Sequence, residues 1–256
     1  MKKTGFLLLS ACICFLYSGA QKKDKARDAP VVKDNTHTTE PEETIYKSAL
    51  KYGDYEAAKN AIFSLMQKHP DNRSYLDSLT RLYFAMGNYA QCILAGTDFL
   101  QKEDTANTTV MELVAVSNGS LNRYKESLEL YDKLWKQSGN SYYAYQISVD
   151  QYLLKRYGEC AQTIDIILKD PAAEKQEVSI SIDQTRSQKV PMKAAAHNLL
   201  GVIQKELSMQ DKAKESFEAA VKIDPDFELA KNNLDAMNKK DSAKEETKPK
   251  ETPKRK

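Results

Sequence analysis

A repeat with a period near 34 residues constrains this chain more than any other feature. Tyr55, Tyr89, Tyr124 and Tyr157 each follow a short turn and open a helical run, at spacings of 34, 35 and 33 residues. In the stretch from Tyr52 to Asn72, a Gly-Asp-Tyr turn starts an amphipathic run that Pro70 closes, because proline lacks an amide and clashes with the turn before it. Such a period marks stacked helix pairs, each too small to bury its own apolar face alone. Nine glycines and eight prolines in 256 residues are too few for a loop-rich β chain.

The repeats fall at 39–72, 73–106, 108–141, 141–174 and 194–227. Position 20 reads Ala58, Cys92, Ser127, Cys160 and Ala213, small throughout. Position 8 reads Tyr46, Thr80, Ala115, Ser148 and Gly201, small after the first. Helices that cross closely need small residues where their backbones approach, while Leu65, Phe99, Leu134 and Ile167 at position 27 are large enough to fill the gap to the next repeat. The turn glycine is present as Gly53 and Gly87, but Asn122 and Lys155 replace it in the third and fourth repeats. Residues 228–237, ELAKNNLDAM, read as a helix that caps the end of the stack.

Residues 175–193 interrupt the rhythm. Val178, Ile180 and Ile182 alternate with polar residues, a polar DQTRSQ follows, and Val190 and Met192 form a second short apolar segment. This pattern predicts a small β-hairpin before the last repeat, with an irregular loop as the alternative.

The termini differ in kind from the repeats. Lys2 and Lys3, an uncharged run from Gly5 to Tyr17 and Ser18-Gly19-Ala20 have the form of a secretory signal over residues 1–20, with cleavage before Gln21. Leu9-Ser10-Ala11-Cys12 offers a second reading, a lipoprotein box in which Cys12 is acylated. The polar, aperiodic segment 21–38 is expected to be a disordered tether. Residues 238–256 carry eight basic and four acidic groups and are expected to form a disordered Lys-rich tail. Membrane contact is expected only through acylated Cys12 or through docking of that tail.

Charge and chemistry exclude several classes. The net charge of +2 rests on Lys2 and Lys3, so the chain without its signal is neutral, which argues against nucleic-acid binding. Export leaves Cys92 and Cys160, which occupy one repeat position two repeats apart; four helix steps of roughly 8–10 Å separate them, too far for a disulfide. Both read as small buried thiols. Of the three histidines, His37 lies in the tether, His69 beside Pro70 and His197 at a packing position. No HExxH, GxSxG or phosphate-binding loop is present, so no catalytic residue, cofactor or metal is expected.

Gly53, Tyr55, Ala58 and Pro70 in the first repeat, and Leu200-Gly201, Ala213, Phe217, Ala220 and Pro225 in the fifth, resemble the tetratricopeptide repeat. The resemblance covers 39–227 apart from the insert. It implies an all-α, right-handed solenoid of five helix pairs, with residues on the first helix of each pair lining a concave groove for extended or helical peptides. Carried onto this chain, the groove positions are Ser74, Asp77, Arg81, Phe84 and Ala85; Thr109, Glu112, Val116, Gly119 and Ser120; Tyr142, Tyr145, Val149, Tyr152 and Leu153; and Ala195, Asn198, Val202, Lys205 and Glu206. Arg81, Phe84, Val116, Tyr142, Tyr145, Val149, Tyr152 and Leu153 are the partner-binding candidates, with the tyrosines as anchors. A shift of one or two residues in the degenerate fourth repeat would instead bury those tyrosines. The implied function is a non-enzymatic interaction scaffold or adaptor of the bacterial cell envelope; the alternative is a lipid-anchored accessory subunit of an outer-membrane assembly or secretion machine.

Overall fold

A computed structural model describes residues 40–102, 107–183 and 185–246. The expected signal peptide (1–20), Cys12, the tether (21–38) and residues 247–256 of the tail lie outside the described residues. The chain divides into two compact units, one ending at Ser138 and the other starting at Gly139.

The first unit holds three helix pairs: α1 (Pro41–Tyr52) with α2 (Tyr55–Lys68), α3 (Ser74–Ala85) with α4 (Tyr89–Lys102), and α5 (Thr108–Ser120) with α6 (Tyr124–Ser138). Each pair packs on the next through α2–α3, α4–α5 and α3–α5 contacts. Ala49, Ala58, Ile62, Leu65, Leu79, Leu82 and Ala95 form one core cluster, and Phe99, Val110 and Val114 another.

The second unit holds α7 (Ser141–Leu153) with α8 (Tyr157–Lys169), then a 3-10 turn (Pro171–Lys175), strands β1 (Glu177–Ser181) and β2 (Ser187–Pro191), α9 (Met192–Glu206) with α10 (Gln210–Ile223), and α11 (Glu228–Glu246). The strands pair antiparallel with Val178 opposite Val190, and both side chains are buried. The alternation in the insert is therefore a hairpin, which packs beside α9. Helix α11 runs nine residues past the expected boundary at 237. That corrects the disordered tail as far as Glu246, since seven polar and two alanine-or-serine positions continue a helix already anchored by Leu234 and Met237.

The hairpin is tied to the start of α11. Gln188 donates from Nε2 to the Asp226 carbonyl (2.7 Å), and its Oε1 accepts the Glu228 amide (3.0 Å), one of the helix's unpaired first amides. Arg186 reaches both carboxylate oxygens of Glu228 at 3.3 Å.

One turn geometry recurs within all five pairs. Gly53, Gly87, Asn122, Lys155 and Ser208 each adopt a positive φ, between 59° and 72°. The next residue's amide reaches back five residues: Asp54 to Ala49, Asn88 to Tyr83, Arg123 to Asn118, Arg156 to Gln151 and Met209 to Gln204, all at 2.8–2.9 Å. This is the six-to-one helix-ending bond, and it needs a left-handed residue at the turn. The expected small position 20 is buried in every pair. Cys160 shows why it must be small: its Sγ lies 2.9 Å from the Ser148 carbonyl on the paired helix, to which it donates.

Candidate partner-binding surface

In the first unit, the candidates on α3 remain accessible. Arg81 is exposed and donates from Nε to Asp77 Oδ1 (2.8 Å), one turn back on the same face. Phe84 is half-buried, with its ring edge-on to Tyr89 at 6.0 Å. Val116 on α5 is only 3% exposed and cannot line an open groove.

The second unit carries the tyrosine group, and the structure splits it. Tyr145 is 7% exposed, and burial pushes its phenol well above the ordinary range. Tyr142 is half-buried and packs edge-on against Tyr143, at 5.4 Å between ring centres. Val149, Tyr152 and Leu153 are half-buried. The Tyr152 ring lies 5.9 Å from that of Tyr157, and its phenol is raised first by burial and then by the nearby charge of Glu206 on α9.

The two corrections, Val116 and Tyr145, share a cause. Leu113–Asn118 on α5 and Ala144–Ser148 on α7 are unbroken runs of buried residues. At 100° per residue, five consecutive buried positions go fully round a helix, so no open stripe survives at mid-helix. Accessible candidates therefore survive at the ends: Tyr142 at the start of α7, and Val149, Tyr152 and Leu153 toward its end. In α9, Asn198 is buried and accepts from Asn233 Nδ2 of α11 (2.9 Å), while Val202 and Leu234 both pack on the cluster of Ala213, Phe217 and Met237. The capping helix thus reaches the fifth repeat's expected groove position at Asn198. What the structure brings together is Tyr152 from α7, Tyr157 from α8 and Glu206 from α9.

A further apolar surface was not anticipated. Ile45 on α1 is 50% exposed, whereas Leu79, Val114 and Ile147 at the same repeat position are buried. Tyr52, two turns on, is 78% exposed. The signal was available: an apolar residue at a position that packs on a preceding repeat, in the first repeat of the series. Among the described residues no group of three or more His, Cys, Asp or Glu side chains is placed to hold a metal ion, and no helix is long and apolar enough to cross a membrane.

Comparison with known proteins agrees with this geometry. Residues 194–227 match the family model of the tetratricopeptide repeat. Among solved structures, a tetratricopeptide repeat protein from Parabacteroides merdae is similar with a TM-score of 0.61 at 17% identity, over 80% of this chain and 75% of that one. YrrB, described as a tetratricopeptide repeat protein with an unusual peptide-binding site, gives 0.59 at 13% identity, over 75% and 89%. MamA gives 0.57 at 12% identity, over 72% and 90%. No curated protein matches the chain. The chain is thus a protein of tetratricopeptide-repeat fold, and its last repeat matches the family model in sequence.

Proposed function

We propose that this protein is a non-enzymatic interaction scaffold that binds a peptide or a partner protein through the aromatic end of α7, where Tyr152, followed by half-buried Leu153, stands beside Tyr157 and Glu206. The observation that carries this reading is the combination of half-buried apolar side chains with an acidic group at their edge. Tyrosine offers large contact area with little rotamer freedom to lose, which suits an anchor. Glu206, close enough to raise the Tyr152 phenol, selects for a basic group in the ligand. Arg81 and Phe84 form a second contact region on the first unit.

The proposed setting is the bacterial cell envelope, reached through the signal at 1–20. Anchoring by acylated Cys12 is the alternative, and the mass of the mature N-terminus separates the two. The binding test uses the mature protein as bait in envelope extract, with Tyr152→Ala, Leu153→Ala and Glu206→Gln variants compared with wild type. Loss of about 1–2 kcal/mol of partner binding at Tyr152, with thermal stability nearly unchanged, supports the surface. Equal capture by all variants refutes it.

A further inference from the structure

The hairpin has two outer edges, and they are unlike. Its register is fixed by Val178 opposite Val190, with the Met192 amide donating to Gln176 O (2.9 Å) and the Ile182 amide to Arg186 O (2.9 Å). The even-numbered residues of β1 therefore face β2 with their amides and carbonyls. Those of Glu177, Ser179 and Ser181 point away from it, since hydrogen-bonded and non-bonded pairs alternate along an antiparallel ladder. On β2 the outward positions are Ser187, Lys189 and Pro191. Charged side chains, lysine above all, and proline keep a strand edge from pairing with another chain. The β1 edge has no lysine or proline, and its one charge, Glu177, stands at its end rather than its middle.

We propose that the β1 edge pairs antiparallel with the same edge of a second copy of this chain, centred on Ser179, and so joins two hairpins into one four-stranded sheet. The sequence is complementary to itself in that register. Ser179 meets Ser179, and Glu177 falls opposite Ser181 rather than opposite another glutamate, so no like charges face each other. Val178 falls opposite Ile180 in the close, non-bonded kind of pair, where β-branched side chains gain most from contact. Continued beyond the strands, the register brings exposed Lys175 of one copy toward exposed Asp183 of the other. A two-stranded hairpin is marginal by itself, and added strands stabilise it.

The test combines sedimentation over a range of concentrations with amide hydrogen exchange read by NMR. Wild-type mass should rise toward twice that of the protomer. The Ser179 and Ser181 amides should become protected as it does, while Val178 and Ile180, bonded to β2, stay protected throughout. Ser179→Lys sets two ammonium groups face to face and should weaken pairing by about tenfold or more. Ser179→Ala, which leaves the backbone bonds in place, should not. A chain that stays monomeric with fast Ser179 and Ser181 amides overturns the proposal. So does protection that appears only when a foreign protein is added.

Discussion

The aromatic ring of Phe217 lies against the bare Cα of Gly201. A β-carbon at residue 201 would stand 2.6 Å from Phe217 Cε1 and 2.7 Å from Cδ1, and that ring is fully buried. The ring has no free direction in which to retreat. Gly201→Ala is therefore expected to destabilise the protein by about 2 kcal/mol, overpacking outweighing alanine's better helix propensity. Chemical denaturation measures it. Adding Phe217→Leu to Gly201→Ala should cost less than the sum of the two changes, because the smaller side chain relieves the clash.

The shared turn geometry predicts a gain. Lys155 and Ser208 hold a left-handed backbone that costs a residue with a β-carbon roughly 1–2 kcal/mol. Glycine removes that cost but loses more entropy on folding, by about 0.5–1 kcal/mol. Lys155→Gly and Ser208→Gly should each raise stability by about 0.5–1 kcal/mol, read as a higher denaturation midpoint. Asn122→Gly should give less, since asparagine tolerates this conformation.

Both thiols should be silent in the folded protein. Cys160 is buried, donates to the Ser148 carbonyl and has its pKa pushed up to about 12; burial also raises Cys92. Only the thiolate is nucleophilic, so a maleimide at about pH 7.5 should leave both unmodified until the chain unfolds. Peptide mapping after labelling, with and without denaturant, reads this directly.

Stability should decline in two steps as pH falls. His197 is half-buried, and burial, then the charge of Lys193 one turn earlier, lowers its pKa from 6.5. The unfolded chain takes up this proton first, so stability is lost as pH drops through 6.5 toward the lower folded value. Asp170 lies below its ordinary 3.8, held there first by the Ser141 hydroxyl and then by the Ala172 amide. Its contribution is complete above that value and disappears as pH falls through the folded pKa. Melting temperatures followed from about pH 8 to pH 3 should show both steps, and His197→Gln should flatten the first alone.

Much of the fold was legible because packing and chain reversal leave marks in sequence. Small residues at position 20 recur wherever two backbones approach, and the alternation at Val178, Ile180 and Ile182 marked the hairpin. Asn122 and Lys155 were less informative as residue types, yet their spacing placed them in the same turn as Gly53 and Gly87. The binding face was harder to read. Transferring groove positions onto α5 and α7 put Val116 and Tyr145 on an open stripe, but both helices are buried all round at mid-length. Tyrosine gives no warning of this, being equally at home in a core and at an interface. The extension of α11 to Glu246 was hidden for a different reason. A polar helix end has no apolar periodicity to detect.

The bonds from Gln188 to Asp226 and Glu228, with the Arg186 pair to Glu228, close a loop around the fifth repeat. A stack held only by nearest neighbours frays from its last element inward, each helix leaving when its own contacts fail. Here the end of the stack is fastened to a hairpin that enters before the repeat begins. Helix α11 cannot peel away without breaking those bonds, and α9 and α10 lie between the two fastened points. The last repeat and its cap should accordingly open together or not at all, giving one protection class in native-state hydrogen exchange where an unfastened end would show a gradient.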